Sequence, residues 1–113
     1  MLSKLWDMFQ VIAPLCIAAP AAASDQAGKI TTIGGDSFGG PFVFYMAGSR
    51  TAKPACATDD AWAIPSPTTD NAKGLLSIAI TAYAAGKTLS VHGQGSCGAD
   101  APTRETVAYF FTQ

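Results

Sequence analysis

Charge is what this chain has least of. Seven Lys or Arg and eight Asp or Glu among 113 residues leave a formal net charge of −1. There is no basic stripe, so the phosphate backbone of a nucleic acid finds no electrostatic footprint, and nucleic acid is a poor partner class. Histidine occurs once, at His92, and cysteine three times, at no spacing that suits a zinc set. No metal or cofactor is expected. No nucleophile, oxyanion-hole motif or carboxylate dyad stands out, which makes an enzyme the weakest of the function classes. Long apolar runs are also missing. The longest, Val11 to Ala19, is broken by Pro14, followed by Pro20, and too short to span a membrane. No internal repeat or linker divides the chain, so one domain is expected.

What the first stretch does contain is the layout of a secretory signal. Lys4 supplies a positive start, Val11 to Ala19 the apolar run, and Ala21-Ala22-Ala23 the small residues of a cleavage site. A signal peptide over residues 1–23 and a single domain over residues 24–113 follow, with a secreted or periplasmic location. Cutting there removes Cys16 and leaves Cys56 and Cys97. An even pair in an exported chain most simply forms one disulfide, with two buried free thiols as the disfavoured alternative. A domain of about 90 residues has a marginal core. Closing a loop of about 40 residues stabilises it by roughly 4 kcal/mol through the entropy of the unfolded chain.

The most legible element is a helix from Thr69 to Gly86. Ala72, Leu75, Leu76, Ala79, Ala82 and Tyr83 recur at three- and four-residue steps and predict one apolar face. Thr69 or Asp70 can cap its first turn, Gly86 can end it in the left-handed conformation, and Lys87 suits the negative end of its dipole. The opposite face is unusual. Gly74, Ser77, Thr81 and Ala85 are small and uncharged, and Lys73 is the only cation before the cap. A solvated helix normally carries several charges there, so these four residues are the expected oligomer interface.

Strands are expected at Lys29 to Ile33, Phe42 to Ala47, Cys56 to Ile64, Thr88 to Gln94 and Glu105 to Thr112. Ser24 to Gly28 reads as a frayed start. Phe42 to Ala47 is apolar on both sides, which predicts burial on both. The glycine-rich Gly34 to Pro41 joins two strands rather than a strand and a helix, so it reads as a hairpin loop and not a phosphate cradle. Pro65-Ser66-Pro67 enforces an extended entry to the helix. The order β-β-β-α-β-β, mainly β with one helix, matches the five-stranded OB-fold barrel.

At the cysteines and the helix the chain resembles a known family. Ala55-Cys56-Ala57, Trp62-Ala63-Ile64-Pro65-Ser66, a helix ending Tyr83-Ala84-Ala85-Gly86-Lys87, and then Leu89-Ser90-Val91-His92 are similar to the subtilase cytotoxin B subunits. That family belongs to the AB5 toxins. The resemblance runs from about Phe42 to Gln113 and implies a secreted OB-fold protein, a homopentameric ring with helices around a central pore, sialylated glycans as ligands and a catalytic A subunit as a possible partner. The family's sugar contacts lie near the mature N-terminus and in the first loops, and none maps here position by position, so glycan binding is implied only as a class. Domains of this shape also occur without a toxic partner.

The candidate ligand residues are Asp36 and Ser37, which suit hydroxyl groups, and Arg50, which suits a carboxylate such as that of sialic acid. Solvated loop residues are the plainer reading of all three. Trp62 can stack on a sugar, but its place beside the helix favours core packing. His92 with Ser90 reads as a surface or interface histidine. Asp59 and Asp60 point opposite ways on a strand and make a poor acid/base pair, and Tyr109, Phe110 and Phe111 read as core and interface. The expected function is therefore a non-enzymatic, glycan-binding ring. The alternative is a lone exported OB-fold domain that binds a protein and has no sugar site.

Overall fold

The computed structural model describes residues 23–66 and 68–113. The expected signal peptide, apart from Ala23, and Pro67 lie outside them. Five strands and one helix follow in the order β1 (Asp25–Gly34), β2 (Val43–Met46), β3 (Trp62–Ala63), α1 (Asp70–Ala85), β4 (Thr88–Cys97) and β5 (Glu105–Thr112). The strands form one sheet, with neighbours β1-β2-β3-β5-β4, and it closes in a ring through β1 against β4. All pairings are antiparallel except β3 with β5.

The helix forms as its residues dictate. Thr69 is the N-cap and its hydroxyl accepts the Ala72 N–H at 3.2 Å. Gly86 ends the helix at φ 63°, a conformation that side chains rarely adopt, and the Lys87 N–H closes back on the Ala82 carbonyl. Ala72, Ala79 and Ala82 are buried, and Leu75 and Leu76 pack against the core. Tyr83 departs from the expected apolar face and stands half in solvent. It lies about 100° round from Ala82, at the edge of the stripe. The helix packs against β1 and β5, over a core built from Phe44, Trp62, Ile64, Leu89, Val91, Val107 and Phe110.

Strand boundaries moved where pairing is non-local. β1 begins at Asp25, because Asp25 to Lys29 pair with His92 to Thr88 of β4, so the expected frayed start is a paired strand. β3 is reduced to Trp62 and Ala63, and Cys56 to Asp60 lie in turns before it. On β2, Phe44 is buried and Met46 packs on the core, whereas Tyr45 is exposed. β4 alternates as expected, with Leu89, Val91 and Gly93 inward. β5 carries one extra residue: His92 pairs with Tyr109 and Gly93 with Val107, leaving Ala108 unpaired. This bulge changes the parity of the strand. Val107 and Phe110 both point inward, and Tyr109 and Phe111 are turned out.

The disulfide Cys56–Cys97, with Cα atoms 6.2 Å apart, joins the segment before β3 to the end of β4. No helix among the described residues is long and apolar enough to cross a membrane.

Candidate functional site

The glycine-rich loop carries Asp36 to one end of the closed sheet. Its carboxylate accepts the backbone N–H of Phe38 at 2.9 Å and of Gly40 at 3.3 Å, which folds the loop back on itself. Phe38 is left at the tip, 92% exposed. Asp36 then lines a cleft of about 270 Å³ with Val43, Asp100 and Arg104. A neighbouring cleft of about 380 Å³ lies between the entry to α1 and the β4–β5 segment, lined by Ser66, Thr68, Thr69, Gln94 and Thr106 among others. Both clefts share Pro41 and Asp100, so they form one groove. Ser66 donates its hydroxyl to Asp100 at 2.5 Å. Arg104 lies 3.2 Å from Asp59, and its Nε is buried with no hydrogen-bond partner. Hydroxyls, two carboxylates and one guanidinium share this groove with Pro41, Val43, Ala63, Ile64 and Pro65, so it offers hydrogen bonds and apolar contact side by side.

Asp59 is held by three donors. The Ala61 backbone N–H at 3.0 Å is the strongest influence, and the Tyr45 hydroxyl and Arg104 add to it. Together they outweigh partial burial and keep its carboxyl below the ordinary aspartate value. Asp60 turns away to Lys53 at 2.6 Å. Asp59 anchors the Arg104 wall of the groove.

Of the three ligand candidates, the structure brings Asp36 to this groove and places Ser37 exposed on the same loop. Arg50 is elsewhere. Its guanidinium pairs with Glu105 at 2.9 Å, donates to the Asp60 carbonyl and the Ser24 hydroxyl, and lies 3.7 Å over the Trp62 ring. Its side chain is only 8% exposed, so those donors are already used inside the fold. Trp62 is fully buried, with its N–H on Gln26. Asp100 and Arg104 were not foreseen, because the β4–β5 segment reaches the glycine-rich loop only through tertiary folding. Glu105 had a signal: it shares the inward parity of Val107 on a strand, which marks a buried acid in need of a partner.

A second surface is apolar. Gly74, Ser77, Thr81 and Ala85 are all exposed. Ile78 (41% exposed) and Phe111 of β5 (64%) border them on one side, and Ile80 and Tyr83 are exposed on the opposite flank of the helix. Ile78 and Thr81 meet Phe110, Phe111 and Thr112 along a groove between α1 and β5. Past that edge, Tyr109 stacks on His92 with ring centres 4.5 Å apart, and His92 Nδ1 lies 2.7 Å from the Asp25 carboxylate.

The chain matches no known family model, no curated protein and no solved structure.

Proposed function

We propose that this is an exported, non-enzymatic OB-fold protein that assembles with copies of itself through the α1–β5 face and binds glycans as a ring. The observation that carries the reading is the outer face of α1. Ile78 of the helix and Phe111 of β5 are exposed along the groove that Thr81 also lines, and the four small residues of the helix let a neighbouring backbone approach closely. An isolated subunit would hold this patch against water, whereas a second copy would bury it. The order of the elements, the closed sheet and the disulfide that brackets the helix support the OB-fold assignment and the extracytoplasmic location.

The groove of Asp36, Ser66, Asp100 and Arg104 is the proposed glycan site. Its carboxylates accept sugar hydroxyl protons, and Arg104 takes the role of carboxylate partner that the sequence assigned to Arg50. Such a groove binds one sugar weakly, and a ring of copies multiplies the effect through effective concentration. A catalytic A subunit would dock on this ring as cargo. A glycan array probed with the assembled protein tests the site: hits that Asp100→Ala abolishes support it, and an array at background for the assembled wild type removes the sugar reading. A protein partner seated on the α1–β5 face is the rival, and a chain that stays monomeric at tens of micromolar would favour it.

A further inference from the structure

We infer that the leader is cut between Ala23 and Ser24, and that the amino group so released becomes part of the folded interior as an ammonium seated on Glu105. The inference rests on the exported reading of the chain and deepens it. Ser24 is fully buried, although it lies ahead of the first strand. All its polar groups are used: its nitrogen lies 3.2 Å from Glu105 Oε2, its hydroxyl donates to Glu105 Oε1, and its carbonyl accepts the Gly93 N–H at 2.9 Å. Ala23, one residue earlier, is exposed. The Ala21-Ala22-Ala23 run therefore ends where the anchored structure begins.

Hydrolysis adds one water across the Ala23–Ser24 peptide bond, with a signal peptidase as the catalyst. The leader leaves with the new carboxylate, and Ser24 keeps its nitrogen as a primary amine that takes up a proton below about pH 8. Because Ser24 is buried in the folded domain, the cut has to precede closure of the sheet. The site then receives a cation in place of an amide N–H, which sets a full charge opposite the carboxylate.

The charged groups around the amine come from four segments. Glu105 of β5 faces the nitrogen itself. Arg50, from the segment between β2 and β3, faces the Ser24 hydroxyl at 3.0 Å and the other oxygen of Glu105. Asp25 of β1 and His92 of β4 pair with each other one residue further on. The charge closest to the nitrogen is thus negative. The Glu105 carboxylate favours the protonated amine against burial and the Arg50 guanidinium, and the stabilisation it gives is lost as pH rises through the amine's titration.

The test uses the full chain exported with its own leader and, beside it, a chain carried by a different leader that leaves Ala23 in place. The intact mass of the exported protein is expected to begin at Ser24. The Ala23-retaining chain is expected to melt roughly 4 °C lower at pH 6.5, with the gap narrowing as pH rises through the amine's titration. A chain cut elsewhere, or two chains that melt alike at every pH, overturns the inference and leaves export standing. A chain that reaches the periplasm uncut, or is never exported, overturns both.

Discussion

Glu105 shows how much one residue can hold. It is a fully buried carboxylate that accepts from the Gly95 N–H at 2.9 Å, from Arg50, and from both the nitrogen and the hydroxyl of Ser24. Removing one member of a buried pair leaves the other uncompensated, so Glu105→Ala is expected to lower unfolding free energy by about 4 kcal/mol in urea titration. A loss within 1 kcal/mol would mean that water reaches the pair. Gly93 sits against the same group, and a Cβ there would run into the Glu105 carboxylate and the Trp62 ring. Gly93→Ala is accordingly expected to cost about 3 kcal/mol, read the same way. Asp59 sets the acid limit. Its folded carboxyl value is depressed, so it stabilises the domain above the ordinary aspartate value of about 3.9, and that contribution is lost as pH falls through the lower folded value. Melting of Asp59→Asn between pH 2 and 5 should show a shallower pH dependence than wild type, and parallel curves would refute the assignment.

Among the elements, α1 was readable because its determinants are local. Thr69, Gly86 and the alanines between them fix its ends and its buried stripe without help from distant residues. β5 was equally legible, from a run rich in β-branched and aromatic residues that ends where expected, although its bulge at Ala108 was not. β3 was not: Trp62 and Ala63 are a strand only because β2 and β5 lie on either side, and nothing between Cys56 and Asp60 announces where pairing stops. The groove was hidden for the same reason, since Asp36 and Asp100 meet across 64 residues of chain. The outer face of α1 was read from its lack of charge, and Ile78 and Ile80 on its flanks make it more apolar than its small residues alone implied. Thr81 lies in the α1–β5 groove. Thr81→Glu places a charge there and should yield a folded monomer with an unchanged far-ultraviolet spectrum; an assembly that survives the change would refute the interface. The disulfide belongs at this scale too. Replacing Cys56 and Cys97 with alanine opens a loop of 41 residues and is expected to cost roughly 4 kcal/mol in the same titration.

At the scale of the whole molecule, two surfaces differ in character. The closed sheet leaves a polar groove between the glycine-rich loop and the β4–β5 segment, and an apolar face on α1 and β5. Self-association through the second would repeat the first around a common axis, which turns one weak site into several acting together. Assembly therefore comes before any ligand. Native mass spectrometry of the disulfide-closed protein at about ten micromolar measures this most directly. The prediction is a single closed oligomer, at a whole-number multiple of the subunit mass, that Thr81→Glu converts to monomer. A wild-type protein found only at the subunit mass would contradict it.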